Sequence, residues 1–274
     1  MSQQRKTAIF CGAALLLLAA AAAAKDDDQA LFRQGVEALS RGAYDDAVDH
    51  FELLADRGFV HPDASFDRGA AYVERARSSS AEPGDLGRAA AAFAETVELR
   101  PSDSEAEHAL EAVRDEIARR RARQGSDPIA ARPSLGRAIV ALLPEDAWAW
   151  GAAFGSILAT VGLALRQLSR ARRPRLTGTT TAAIGSAVLL LCGGLAFAAR
   201  HHRLSSHPAV VVAPSARLLD ETGKPLAKSE VEHDEIPEGA SIWVLDRRGT
   251  LAKVEWGTDT GWISAGQLRQ LATP

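Results

Sequence analysis

The sequence predicts a multidomain membrane protein: an α-helical repeat region, a transmembrane helical hairpin and a small all-β barrel. Three observations predict it. Residues 147–165 and 177–199 are apolar runs without a charged side chain, each close to the roughly 20 residues a helix needs to cross the hydrocarbon core. Residues 29–123 carry helical periodicity and hardly a strand signal. From Ala209 the pattern changes to short β-branched and aromatic runs separated by glycine-marked turns, which is the pattern of short strands.

Composition narrows the function classes. The chain has 274 residues and a net charge of only −3, so no global field points to nucleic acid. Charge is unevenly distributed: residues 25–116 hold 22 acidic and 10 basic side chains, and a cluster of arginines from Arg119 to Arg137 reverses the sign. Beside a bilayer, such a basic segment is drawn to anionic lipid headgroups or to an acidic partner, although a solvated helix end accounts for it equally well. Cys11 and Cys192 both lie in apolar segments and share no spacing motif, so neither a disulfide nor a metal site is expected. Cys11 has no apolar region before it, which argues against a lipoprotein signal.

The amino-terminal segment, residues 1–24, opens with Arg5 and Lys6, continues as an apolar run and ends in alanines before Lys25-Asp26-Asp27-Asp28. This is the layout of a signal peptide, with an uncleaved N-terminal anchor as the rival. Either one exports the chain from Lys25 onward.

Residues 25–123 read as a helical repeat region. Gly35 pairs with Gly69 and Ala38 with Tyr72 at a period of 34. Ala47 and Phe51 find their counterparts at Ala89 and Phe93, 42 residues on, with the extra eight residues falling in the Ser/Gly/Pro-rich stretch 78–85 and Pro101 closing the second unit. Small residues that let two antiparallel helices approach, with large ones filling the hole, resemble the tetratricopeptide repeat. Gln34 and Phe59 depart from that pattern, where a large apolar residue and a proline are usual. A third helix over 104–121, with Ala106, Leu110, Val113 and Ile117 on one face, would cap the stack. Two units and a cap are few, so the region is expected to lean on a partner or on the membrane. His50, His61 and His108 are isolated, without metal-ligand spacing.

A linker, residues 124–146, contains an amphipathic piece with Leu135, Ile139, Leu142 and Leu143 on one face and Arg137 near the other; it is expected to lie along the membrane interface. Trp148 and Trp150 mark the entry of the first span at headgroup level. The spans, 147–165 and 177–199, flank a basic loop, 166–176, that carries Arg166, Arg170, Arg172, Arg173 and Arg175. Such a loop stays cytoplasmic, which puts both flanking regions on the far side. Gly151, Gly155, Ala159 and Gly162 fall on one face of the first span, and Thr181, Gly185, Cys192 and Ala196 on one face of the second. Small residues permit close helix contact in lipid, either between the spans or with another membrane protein. Neither span holds an ionisable residue, so no ion pathway is expected.

Residues 207–274 form the β region. Glu238-Gly239, Trp243-Val244, Lys253-Val254, Gly261-Trp262-Ile263 and Leu268 resemble the bacterial SH3-like domain, with Leu251 where that family often has tryptophan. The resemblance implies binding of peptides or cell-wall material. Trp243, Trp256 and Trp262 are the residues that could form a ligand face, and core packing is their commoner use.

The order of export signal, repeats, amphipathic linker, two spans and SH3-like end resembles the BatE-type proteins of aerotolerance operons. That resemblance implies a bacterial inner-membrane protein with both soluble domains in the periplasm, working with von Willebrand-type Bat proteins and a MoxR-type ATPase in stress tolerance. The expected function is a membrane-anchored scaffold for protein–protein interaction, with lipid as its other partner. A peptidoglycan-binding sensor is the alternative. No catalytic constellation, metal cluster or phosphate-binding loop is visible, so neither enzyme activity nor a cofactor is expected, and nucleic acid is not an expected partner.

Overall fold

The computed structural model describes residues 27–125, 134–140, 142–168, 172–226 and 235–272. The amino-terminal segment 1–24, Arg170 and the linker residues 126–133 lie outside the described residues. The fold is mostly helical, with two long apolar helices and a small antiparallel sheet.

Five helices come first: α1 over residues 27–40, α2 (Tyr44–Asp56), α3 (Pro62–Arg77), α4 (Asp85–Leu99) and α5 (Ser104–Arg123). Local chemistry fixes their ends. His61 caps α3, its Nδ1 accepting from the Asp63 N–H at 3.3 Å, and Pro62 occupies the first helical position, where no amide donor is needed. Asp103 caps α5 by accepting from the Ala106 N–H at 3.1 Å, and acidic residues in the first turn with arginines in the last suit the helix dipole. Neighbouring helices pack together, with α3 on α4 the most extensive pair of this module. Their core is unusually rich in alanine: Ala47, Ala71 and four consecutive alanines from Ala89 to Ala92 are buried around Phe51, Leu54, Phe93 and Leu86.

A short helix, α6 (Leu135–Val140), precedes α7 (Glu145–Leu168) and α8 (Arg172–Ser205). Both long helices are long and apolar enough to cross a membrane and are mostly unburied by the rest of the chain. They pack along each other, and Glu145 at the start of α7 pairs with Arg203 near the end of α8 at 3.2 Å, so the pair is antiparallel. The sequence places a loop at 166–176, yet α7 runs through Leu168 and α8 begins at Arg172. The reason is that hydropathy marks where a span ends, whereas Arg, Gln and Leu carry a helix onward without difficulty. At its other end α8 likewise outruns the span by six residues, to Ser205.

A single residue, Ser206, separates α8 from β1 (His207–Val211). The remaining strands are β2 (Ser215–Arg217), β3 (Glu235–Pro237), β4 (Ser241–Arg248), β5 (Leu251–Trp256), β6 (Asp259–Ser264) and β7 (Leu268–Gln270). The main sheet runs β6-β5-β4-β1-β7, antiparallel throughout, and β2 pairs with β3 separately. Strand β5 buries every second residue, Ala252, Val254 and Trp256, as a half-buried strand should. The sequence reading contains counterparts of β1 and β4–β7 but neither β2 nor β3. Those two are three-residue pieces, too short to show alternation.

The sheet does not stand apart from the helices. Val210 of β1 and Leu271 belong to the helical core, whereas Ala209 and Val211 face the sheet's own core of Ile236, Ile242, Val254 and Ile263. Helices α1–α5 and the sheet therefore form one head, joined along a seam where β1 and β7 lie on α4.

Candidate functional site

The seam combines ion pairs, side-chain hydrogen bonds and close backbone approach. At one end is a largely buried polar network. Glu52 of α2 accepts from Arg269 of β7 and, at 2.9 Å, from the Tyr72 hydroxyl. Arg68, almost wholly buried, reaches Glu95 at 3.1 Å and Glu52 at 3.8 Å. Glu95 also accepts from the Ser65 hydroxyl at 2.6 Å and the Ala272 N–H at 3.3 Å. Burial pushes the Glu52 carboxyl up, but Arg269 and Arg68 more than offset this and hold it below the usual carboxylate range. Burial and the Glu52 carboxylate push the Tyr72 phenol above its ordinary value. Here two arginines and two carboxylates satisfy one another, which is the condition under which charges are tolerated in an interior.

At the other end of the seam, backbone comes close to backbone. Gly84 caps α4 with φ +88°, and a Cβ there would lie 2.3 Å from the Val212 carbonyl oxygen. A Cβ on Gly87 would meet Glu238 Cγ at 2.8 Å and the Val211 carbonyl oxygen at 2.9 Å. The freed space lets the Gly87 N–H donate to Glu238 Oε1 at 2.7 Å, while burial raises the Glu238 pKa. Arg114 of α5 donates to Ser241 Oγ at 2.7 Å. Sequence reasoning missed Gly84, Gly87, Glu52 and Arg269 as a group. Their partners lie some 130 to 220 residues away in the chain, and local periodicity carries no trace of that.

Of the residues expected in repeat packing, two pairs meet, Gly35 with Phe51 and Gly69 with Phe93. A Cβ on Gly35 would come within 2.8 Å of the Phe51 ring, and one on Gly69 within 2.8 Å of the Phe93 ring. Ala47 and Ala89 are fully buried, Tyr72 is buried with Arg75 over its ring at 5.2 Å, and Pro101 is exposed in the turn before α5. Two partners went unnoticed: Phe32 contacts Phe51 at 6.1 Å and Phe66 contacts Phe93 at 5.3 Å between ring centroids. They stand 34 residues apart, the period already visible in the glycines.

In the hairpin, Gly155 and Gly162 are buried against α8, where a Cβ would come 2.6 Å from the Leu189 nitrogen and 2.3 Å from the Ala182 nitrogen. Gly185 returns the contact, since a Cβ there would lie 2.3 Å from the Ala159 nitrogen, and one on Gly151 would lie 2.9 Å from Cys192 Sγ. Gly178 and Ala182 complete the face on α8. Arg166 is exposed in the last turn of α7, and Arg172, Arg173 and Arg175 lie at the start of α8.

The three tryptophans do not make one open face. Trp256 and Trp262 are 4% and 3% exposed, so they are core residues and not a ligand platform. Trp243 is half-buried, and the Arg137 guanidinium of α6 lies 4.3 Å from its ring centroid. The same guanidinium donates to both Glu255 oxygens, from Nη2 at 2.8 Å and Nε at 3.3 Å. The sequence assigns Arg137 to the outer side of an interfacial helix; the structure instead turns it onto the sheet, because a carboxylate and an indole there satisfy a guanidinium better than its own helix could.

A cleft of about 340 Å³ between α1 and the start of α3 is lined by Gln29, Phe32, Arg33, Phe59, His61 and Asp63. That is near the lower end of ligand pockets, about 300–1,000 Å³. His61 is the α3 cap and stacks on Phe59, His108 Nδ1 meets the Ser104 carbonyl oxygen, and His50 is half-buried in α2. Among the described residues no group of three or more His, Cys, Asp or Glu side chains could hold a metal ion. No protein-family model, curated protein or solved structure matches the chain.

Proposed function

We propose that this chain is a membrane-anchored scaffold of the bacterial inner membrane, with its head on the periplasmic side and the arginines between α7 and α8 in the cytoplasm. In this reading α1–α4 are two tetratricopeptide-like units capped by α5, the sheet is an SH3-like barrel, and the assembly is of the BatE type. What supports the repeat is that glycine and phenylalanine make the same contact in two successive helix pairs, each with a second phenylalanine three residues before the glycine. What supports the scaffold is one observation above all. The antiparallel hairpin brings both of its outer ends to one side, and there the two flanking modules share a core. A head built as one body on a two-helix anchor is suited to presenting surfaces to other proteins.

The test is recovery of partners after cross-linking in intact cells and solubilisation of the membranes. The expected result is co-purification of a von Willebrand-type membrane protein with the full chain; recovery of no partner protein overturns the reading. The peptidoglycan alternative gains nothing from the tryptophans, two of which are buried. Its test is sedimentation of the full chain with purified sacculi, where absence from the pellet removes it.

A further inference from the structure

The Trp243–Glu255 pair is a built site for a planar cation. We propose that it is a guanidinium-binding site, occupied in this structure by the chain's own Arg137 and open in exchange to an arginine side chain of a partner protein.

Three features carry this. The first is geometry: an indole face at 4.3 Å and a carboxylate taking two N–H donors from one guanidinium define a slot for a flat, forked cation. An ammonium would lose both the fork and the stacking. The second is the environment. The side chains of Arg137 and Glu255 are only 13% and 16% exposed, and Ser134 adds a hydroxyl donor to Glu255 at 3.3 Å. The third is the occupant's hold. Helix α6 spans six residues, and Ile139, Leu142 and Leu143 in and after it are exposed. These lie on the face expected along the membrane interface, and α6 packs chiefly on α8 and not on the sheet, so Arg137 reaches the strands as a side chain inserted from a separate short helix. Glu255 and Trp243, by contrast, stand on paired strands, opposite each other in register. An acceptor fixed on paired strands and a donor carried by a separate short helix are what an exchangeable occupant requires.

The site deepens the scaffold reading by naming the chemistry of one partner, and it rests on that reading only in taking the competitor to be a protein. The experiment uses the full chain in lipid nanodiscs, titrated calorimetrically with a capped Gly-Arg-Gly peptide. Arg137→Ala is expected to bind the peptide about tenfold or more tighter than the unsubstituted chain, since the internal competitor is gone. Adding Glu255→Gln or Trp243→Ala to that variant should abolish the gain. Should Arg137→Ala not fold, Arg137→Gln carries the same expectation with a longer side chain. Equal binding by substituted and unsubstituted chains overturns the proposal. So does equal binding of a Gly-Lys-Gly peptide, or tighter binding of a muropeptide bearing a free ammonium, which would make the occupant wall material. Failure to recover partners from cells would sink the scaffold reading and leave the peptide titration standing.

Discussion

The molecule joins its parts in two opposite ways. Along the hairpin, α7 and α8 meet through Gly155, Gly162, Gly178 and Gly185 with backbone against backbone. Along the seam, Glu52 of α2 meets Arg269 of β7 and Glu95 of α4 meets the Ala272 N–H just after it, with Arg68 of α3 between the two carboxylates and an apolar core beside them. The difference comes from what competes with each contact. In lipid a leucine gains nothing by leaving the acyl chains, so association depends on how closely the backbones approach. In water, apolar burial drives docking by itself, and the charges it encloses must be paired, because an orphaned one is costly. The hairpin should therefore fail when space is filled, and the seam when a charge is orphaned.

The largest expected effect is on the hairpin. Gly162→Leu puts a side chain where even a Cβ would lie 2.3 Å from the Ala182 nitrogen, and backbone at both sides leaves no flexible atom to move. Overpacking costs about 1–3 kcal/mol where side chains can give way, and more where backbone must. The native Cys192 supplies a readout. A Cβ on Gly151 would sit 2.9 Å from its sulfur, so Gly151→Cys should form a disulfide with Cys192 on mild oxidation. Adding Gly162→Leu should abolish that cross-link, while Gly194→Leu, which faces open space, should leave it. Persistence of the bond with Gly162→Leu would mean that the helices do not rely on this approach.

At the seam, Arg269→Ala removes one partner of Glu52 and leaves a carboxylate facing Tyr72 and Arg68. Truncating one member of a buried pair costs about 3–5 kcal/mol. Both side chains here keep about a quarter of their surface, 29% and 23%, so we expect about 1–3 kcal/mol. The double replacement of Glu52→Gln with Arg269→Met should recover much of that loss, since it leaves no uncompensated charge. Thermal unfolding of the head in detergent, followed by helical signal, checks both. A double variant as unstable as the single one would place the energy in something other than the pair.

These contacts also show what a sequence can carry. Hydropathy exposes α7 and α8 because a helix long and apolar enough to cross a membrane is a property of contiguous residues, and the glycine stripe is visible because helical spacing is local. The spacing of 34 could be read from Gly35 and Gly69, and each of them packs on a phenylalanine, Phe51 and Phe93. The seam leaves no such mark. Arg269 looks like any strand arginine, and Glu52 like any helix glutamate, until the fold sets them side by side. Trp262 and Trp256 look like ligand platforms for a related reason: a large aromatic serves a core or a surface equally well, and only the surrounding strands decide. Arg137 is the sharpest instance. Amphipathic spacing assigns it to solvent, yet its partners lie more than a hundred residues later, on β4 and β5.

The smallest expected effect separates two kinds of carboxylate. Glu52 and Glu255 are held below the ordinary range in the folded chain, Glu52 by its arginines against burial and Glu255 by Arg137 first of all. Their stabilisation is complete above the unfolded carboxylate pKa and is lost as pH falls through the lowered values. Glu238 is raised, chiefly by burial against α4, so its sign is opposite. Its ionised form carries a cost at neutral pH, and that cost disappears as the pH falls through its raised value. Glu238→Gln should remove the charge and keep the acceptor, since a carboxamide oxygen can still take the Gly87 N–H. We therefore expect the head of Glu238→Gln to match or exceed the unsubstituted chain at pH 7.5 by no more than about 1 kcal/mol, or about 2–4 °C in melting midpoint. The gap should close as the pH falls through that raised value to the ordinary carboxylate range, because protonated glutamic acid and glutamine are then alike in charge. A clear loss of stability at pH 7.5 would mean that the Glu238 charge, and not merely its acceptor oxygen, holds the sheet to the start of α4.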